Sequence, residues 1–175
     1  MEPDEELVEL VNQGDPDAFV TLYYRYRDWV YRLAWRFAGN HQDALDVLQE
    51  TFTYLLKKFP GFHLTASMTT FLYPVVKHIS LNIRRRRLSG HTGEAALGEM
   101  AEPARPQTSR TELAAALATL PDEQREIVLM RFVDDMTLQE IAAALSVPLS
   151  TAKSRLYNAL RTLRNDPRTR DYFSE

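Results

Sequence analysis

Residues 137–161 read TLQEIAAALSVPLSTAKSRLYNALR, and the reading of this stretch decides the fold. Thr137 and Glu140 have the spacing of a capping box, in which a hydroxyl and a carboxylate satisfy orphan amides at a helix start. Ile141, Ala144 and Leu145 supply a short apolar stripe, which Ser146-Val147-Pro148 ends. A second helix is predicted beyond it, with Leu149, Ala152, Leu156, Leu160 and Leu163 at three- and four-residue steps. Its other faces carry Ser150, Thr151, Lys153, Ser154, Arg155, Tyr157, Asn158 and Arg161. Two short helices joined by a tight break, the second basic and polar outside, meet the needs of a helix-turn-helix. The first packs across the second, whose exposed face enters the major groove.

The plain alternative is an amphipathic helix pair whose basic side is only solvated. Charge placement favours DNA. Residues 149–170 hold Lys153, Arg155, Arg161, Arg164, Arg168 and Arg170 against the single acid Asp166. The whole chain has a formal net charge of −3, whereas a protein held to nucleic acid by bulk attraction is normally basic overall. The positive charge is concentrated at one place in an acidic chain.

At 175 residues there is room for one domain or two small ones, and 45% hydrophobic content suffices for packed cores. Cysteine is absent, which removes disulfides and thiolate metal sites. His41, His63, His78 and His91 are scattered without metal-ligand spacing, so no metal is expected. No nucleophile–base arrangement, paired-carboxylate motif or glycine-rich phosphate loop stands out; neither catalysis nor a cofactor is expected. No apolar run approaches a membrane span, and the acidic N-terminus lacks the basic start of a secretory signal. The expectation is a cytoplasmic protein without membrane insertion.

Upstream of the helix-turn-helix the pattern is again helical. Asp15-Pro16 is predicted to cap and start a long helix with an apolar stripe of Phe19, Leu22, Tyr23, Tyr26, Val30, Leu33, Ala34 and Phe37, ended by Gly39. Asn40 caps the next, where Leu45, Leu48, Phe52, Leu55 and Phe59 form the apolar side and Pro60-Gly61 breaks the pattern. A third helix is predicted from about residue 69 to Arg87. Pro74 falls inside it, at a cost of about 3 kcal/mol that shrinks if the helix starts late with Thr70 as its cap. Leu88 to Arg110 contains Gly90, Gly93, Gly98, Pro103 and Pro106 and reads as a flexible linker with a short helical turn near Glu94–Met100. Ser109 and Glu112 then form a second capping box, and Pro121-Asp122-Glu123 starts a further helix. The fold class is all-α: two small helical domains, 1–87 and 111–175, joined by a linker over 88–110.

At this point the residues match a known pattern. Leu120-Pro121-(x)3-Arg125-(x)2-Val128, then Thr137-(x)2-Glu140-Ile141-Ala142 and Thr151-(x)-Lys153-Ser154-Arg155-Leu156, resemble region 4 of bacterial RNA polymerase sigma factors of the extracytoplasmic-function (ECF) type, within the sigma-70 family. Asp43-Ala44-(x)-Asp46-Val47-Leu48-Gln49-Glu50-(x)-Phe52 resembles region 2.2, and Gly14-Asp15-(x)2-Ala18-Phe19 the start of region 2.

The resemblance implies a promoter-specificity subunit that binds core RNA polymerase and recognises and helps melt promoter DNA. Region 4 would read the minus-thirty-five element as duplex. Asp46, Gln49, Glu50 and Thr53 share one helix face and would be the polymerase-binding residues. The segment 59–87 would hold the melted minus-ten strand, which calls for aromatic planes and cations side by side. Phe62, Phe71, Tyr73, Lys77, His78, Arg84 and Arg85 are the candidates there. Phe71 stands where many members carry Trp, His78 where many carry Asn, and Ser146 where a turn glycine is common. An anti-sigma factor is the further partner the resemblance implies. The alternative is a free-standing helix-turn-helix regulator binding duplex DNA, but the sequence offers it no ligand site.

The linker is long enough for the first reading. Its 23 residues span about 78 Å when extended and roughly 26 Å as a coil, against roughly 68 Å between DNA sites two helical turns apart. A bound polymerase would have to hold it extended.

Overall fold

The computed structural model describes residues 2–90 and 108–170. Every regular element among them is helical, and the chain divides into two compact units, 1–99 and 100–175. The predicted linker falls largely outside the described residues, as does the turn expected near Glu94–Met100.

The first unit begins with a helix the sequence reading did not anticipate, α1 (Asp4–Asn12). Asp4, Glu5 and Glu6 occupy its first turn, where the helix dipole favours carboxylates, and Leu7, Val8 and Val11 are buried. Asp4 also reaches α2 (Pro16–Ala38), accepting from the Arg25 guanidinium and the Tyr26 hydroxyl. Burial, and then that bond to Asp4, push the Tyr26 hydroxyl above its ordinary pKa.

Asp15 caps α2 by accepting from Asp17 N at 2.9 Å, and Gly39 ends it at φ 82° with its amide on Trp35 O. At 23 residues α2 is about 34 Å long, and α1, α3 and α4 all pack against it. Asn40 caps α3 (His41–Leu56) as expected, accepting from Asp43 N at 2.8 Å. The buried side of α3 is Ala44, Val47, Thr51, Phe52 and Leu55, which keeps Phe52 and Leu55 of the expected stripe but neither Leu45 nor Leu48. Leu45 and Leu56 are exposed and Leu48 is half-buried. Small Ala44 and Val47 thus take buried positions, while the neighbouring Leu45 turns outward.

The next helix, α4 (Met68–Gly90), starts earlier than expected. Ser67 precedes it, with its hydroxyl accepting from Thr70 N, so Thr70 is not the cap and Pro74 lies inside the helix. Pro74 is exposed, so its ring displaces no core packing, but the missing N–H still removes one turn's bond.

The second unit contains α5 (Thr108–Ala118), α6 (Asp122–Phe132), α7 (Leu138–Ala144) and α8 (Leu149–Asn165). α5 starts one residue ahead of Ser109, which therefore sits in its first turn rather than at its cap. Ala116, Leu120, Val128, Ala159 and Leu163 form one core cluster, flanked by Leu117 and Leu156. Arg125 closes the corner between α5 and α6. Its Nε donates to Leu117 O at 2.9 Å and its Nη2 to Ala118 O and Leu120 O, so one guanidinium serves three carbonyls around the C-terminal end of α5.

Candidate nucleic-acid interface

The helix-turn-helix is formed by α7 and α8. The capping box is present in both directions: Thr137 N donates to Glu140 Oε2 at 2.7 Å, and Glu140 N to Thr137 Oγ1 at 3.2 Å. The turn depends on Ser146 at φ 54°, after which Val147 N returns to Ala142 O at 2.9 Å. Pro148 then leads into α8, and its carbonyl accepts from Thr151 N at 3.0 Å and Ala152 N at 3.1 Å.

Ala152, Ala159 and Leu163 bury one side of α8. Ser150, Lys153, Ser154, Tyr157 and Arg161 are exposed at three- and four-residue steps, with Arg164 continuing the line. Tyr157 is 65% exposed, a large ring with nothing of its own unit covering it. Thr151, Arg155 and Asn158 are half-buried on the flank. Arg155 is engaged: its Nη2 lies 2.5 Å from Glu123 Oε2 on α6. Further on, Asp166 neutralises Arg168 at 2.6 Å, and Arg168 holds the Asp166 carboxyl well below its usual range, at about 2, chiefly through side-chain hydrogen bonds. The basic face in practice is Lys153, Arg161 and Arg164.

In the first unit the predicted minus-ten residues separate into two groups. Tyr73 is fully buried, edge-on to Phe37 at 6.1 Å, and Phe62 is 9% exposed between Phe59 and Phe71. A ring without a free face cannot stack on a base, so both are corrected to core residues. Phe71 is half-buried and stacks on Tyr54 of α3 with centroids 6.4 Å apart. Tyr54 is exposed and holds the Lys58 ammonium 4.6 Å over its ring. The sequence reading passed over Tyr54 because it sits on a helix assigned to protein contacts.

On α4, Lys77 lies half-buried over the Phe37 ring, and His78, Arg84 and Arg85 are exposed. His78, Asn82 and Arg85 form a hydrogen-bonded row, with 2.8 Å from His78 Nε2 to Asn82 Nδ2 and 2.6 Å from Arg85 Nη2 to Asn82 Oδ1. The run of four arginines divides by helix geometry. Arg87 pairs with Asp43 on α3 at 2.8 Å, Arg86 lines a groove toward α3, and Arg84 and Arg85 face out.

That groove brings the predicted polymerase-binding residues together. Asp46, Gln49, Glu50 and Thr53 are all exposed, and with Tyr54, Lys57, Ile79, Ile83 and Arg86 they bound a cavity of about 710 Å3. On the other side of α3, Gln49 and Thr53 also border an apolar hollow of about 310 Å3 among Phe19, Tyr23, Leu45, Leu48, Phe52 and Leu56. Leu45 and Leu48, read from the sequence as part of the apolar side of α3, thus belong to this outer surface. Among the described residues no cluster of His, Asp or Glu could hold a metal ion, and no helix is long and apolar enough to cross a membrane.

Comparison with known proteins agrees with this geometry. The family described as Sigma-70 region 2 matches residues 22–89, and Sigma-70, region 4 matches residues 110–163. The chain is 25% identical to the ECF RNA polymerase sigma factor SigW of Bacillus subtilis over 177 aligned residues, covering 92% of this chain and 95% of that protein. Among solved structures, CnrH in complex with the cytosolic domain of CnrY has the same fold, with a TM-score of 0.66 at 20% identity over 91% of this chain and 93% of that one. The sigma factor RpoE of Bartonella quintana, in complex with the anti-sigma factor NepR, gives a TM-score of 0.59 at 19% identity over 83% and 94%. With its region 2 and region 4 units both matched, this chain belongs to the sigma-70 family as an ECF sigma factor.

Proposed function

We propose that this sigma factor binds core RNA polymerase through the α3 face of Asp46, Gln49, Glu50 and Thr53. Its second unit reads duplex promoter DNA, and its first holds the melted minus-ten strand. It acts in the cytoplasm by binding alone, without catalysis, metal or cofactor. The observation that carries this reading is the exposed line Ser150, Lys153, Ser154, Tyr157 and Arg161 on the second helix of a helix-turn-helix whose first helix carries a capping box.

Within that reading Lys153 and Arg161 contact phosphate or base, and Ser154, Tyr157 and Asn158 read base edges. The strand-facing set of the first unit is Phe71, Lys77, His78, Arg84 and Arg85, with Tyr54 added by its stack on Phe71. The segment 88–110 is the tether between the two DNA sites. A partner that covers these faces would silence the factor, and an anti-sigma factor is the class of protein to do so; the RpoE of Bartonella quintana is held by one.

The experiment is run-off transcription with core RNA polymerase on a pool of genomic promoter fragments, with and without this protein. Discrete start sites that need both components are the expected result. Sequence-specific duplex binding by the protein alone, with no core-dependent initiation, would favour the free-standing regulator instead.

A further inference from the structure

The turn that joins α3 to α4 is held from a distance by one side chain. Asn12, the last residue of α1, accepts from Gly61 N at 2.7 Å and from Phe62 N at 3.2 Å through Oδ1. Its Nδ2 donates to Phe62 O at 2.8 Å. The two partners lie 49 and 50 residues away in sequence. Gly61 has φ 99°, a left-handed conformation that glycine tolerates and side chains rarely adopt. Just beyond, Phe62 is buried and Met68 is fully buried at the start of α4. Between these two anchors His63, Thr65 and Ala66 stand exposed and Leu64 is half-buried. The arch is short, fastened at both ends, and presented to solvent.

Hydrophobic anchoring alone does not set the direction of such an arch. Phe62 fixes where the chain passes, but the peptide plane around 61–62 could still rotate about it. A side-chain amide that engages two successive N–H groups and one carbonyl removes that rotation. The clamp is itself held rigid, because α1 is fixed at its other end by Asp4 on Arg25 and Tyr26 and along its length by Leu7, Val8 and Val11.

We infer that Asn12 is a positioning residue for base recognition: through Gly61 and Phe62 it sets the orientation of the exposed arch 63–66 against the unpaired promoter strand. This rests on the reading above in which the region between α3 and α4 faces melted DNA. α1 then acts as a splint for a recognition element, in addition to completing the core. A preorganised contact of this kind loses selectivity when its support is cut, even where the contacting residues are intact.

The test uses holoenzyme, full-length chain plus bacterial core polymerase, and a pool of fork-junction DNAs whose unpaired strand is randomised. Bound DNA is sequenced, affinity for the upstream duplex is measured in parallel, and amide exchange at Gly61 and Phe62 is followed by NMR on the free chain. Asn12→Ala is expected to accelerate exchange at both amides and to flatten base enrichment on the unpaired strand about tenfold, with duplex affinity unchanged. Asn12→Asp, which keeps the acceptor oxygen for both amides but turns the donor facing Phe62 O into a second acceptor, is expected to fall between wild type and Asn12→Ala. Wild-type enrichment in Asn12→Ala would overturn the inference, as would an equal loss on strand and duplex, which marks a general folding defect. If the alanine variant does not fold, Asn12→Ser, whose hydroxyl is too short to reach both amides, is read by the same outcomes. Absence of any base enrichment by the wild-type holoenzyme would instead remove the strand-facing reading, and the role of Asn12 with it.

Discussion

Arg155 of α8 is paired with Glu123 of α6, Nη2 to Oε2 at 2.5 Å, so the cation nearest the middle of the helix proposed to read DNA already has a carboxylate partner. The pair is unequal: the Arg155 side chain is 26% exposed and that of Glu123 is 67% exposed. Such a bond contributes about 0–1 kcal/mol to folding, little enough for a phosphate to replace the carboxylate.

Glu123→Gln should therefore leave stability within about 1 kcal/mol of wild type while releasing Arg155 toward DNA. The salt dependence of duplex binding should steepen by about 0.9 in log–log slope, one phosphate contact. Fluorescence anisotropy across a salt series on a promoter duplex reads this directly. An unchanged slope in both Glu123→Gln and Arg155→Ala would make the pair a brace between α6 and α8 and remove Arg155 from the DNA contacts.

Ser146 holds the helix-turn-helix turn at φ 54°. A residue with a side chain carries about 1–2 kcal/mol of strain there, of which a glycine recovers part, since its unfolded chain has more freedom to lose. Ser146→Gly should raise stability by about 0.5–1 kcal/mol in chemical denaturation. Ser146→Val, β-branched, should lower it.

Two hydroxyls of the first unit, Thr51 Oγ1 on α3 and Ser80 Oγ on α4, are buried without a hydrogen-bond partner. Each carries a desolvation cost that nothing returns. Ser80→Ala and Thr51→Val should each stabilise the unit by about 1 kcal/mol, observable as a higher denaturation midpoint with unchanged slope. A loss of stability in either would reveal a bond, direct or through water, at that hydroxyl.

Asp166 titrates at about 2 because the Arg168 side chain, and next its backbone amide at 2.9 Å, favour the carboxylate. The folded value lies below the ordinary one, so whatever this group adds to stability is fully present above the ordinary carboxylate pKa and fades as pH falls toward about 2. In Arg168→Gln the carboxyl should titrate higher, yet still below its ordinary value, because the backbone amide remains. A 13C NMR titration of Asp166 distinguishes full from partial recovery.

Much of this architecture was legible in the residues. The caps Asp15, Asn40 and Thr137–Glu140 and the stop at Gly39 are local chemistry, and local chemistry is readable from sequence. Tertiary choices were less so. α1 was missed because three acids in its first turn read as a charged terminus, although Leu7, Val8 and Val11 carried a short helical stripe. Leu45 was assigned to the core because hydrophobicity ranks it above Ala44, whereas the helix turns the smaller residue inward and leaves Leu45 39% exposed. Tyr73 and Phe62 had the composition of a base-stacking site, and only burial separates a core ring from a binding one. The exposed line on α8 could be read because one helix supplies all of it, while Tyr54 with Phe71 and Asn12 with Gly61 span different elements.

The ion pair of Arg87 with Asp43 also sets a length scale. It ties α4 to α3 near the end of the helix, which runs on through Leu88, Ser89 and Gly90. Leu88 is 65% exposed, and the Ser89 hydroxyl bonds only within the helix, to Arg85 O at 2.8 Å and Arg86 O. This exposed end of the helix is a reserve of chain. Uncoiling those residues from about 1.5 Å to about 3.4 Å of rise each would pay out about 6 Å. That distance is close to two base-pair steps of DNA, about 3.4 Å each per strand. On the proposed reading, in which the two units hold separate promoter elements, this slack lets one sigma factor accommodate elements that differ slightly in spacing, with Asp43 as the fixed point from which it is drawn.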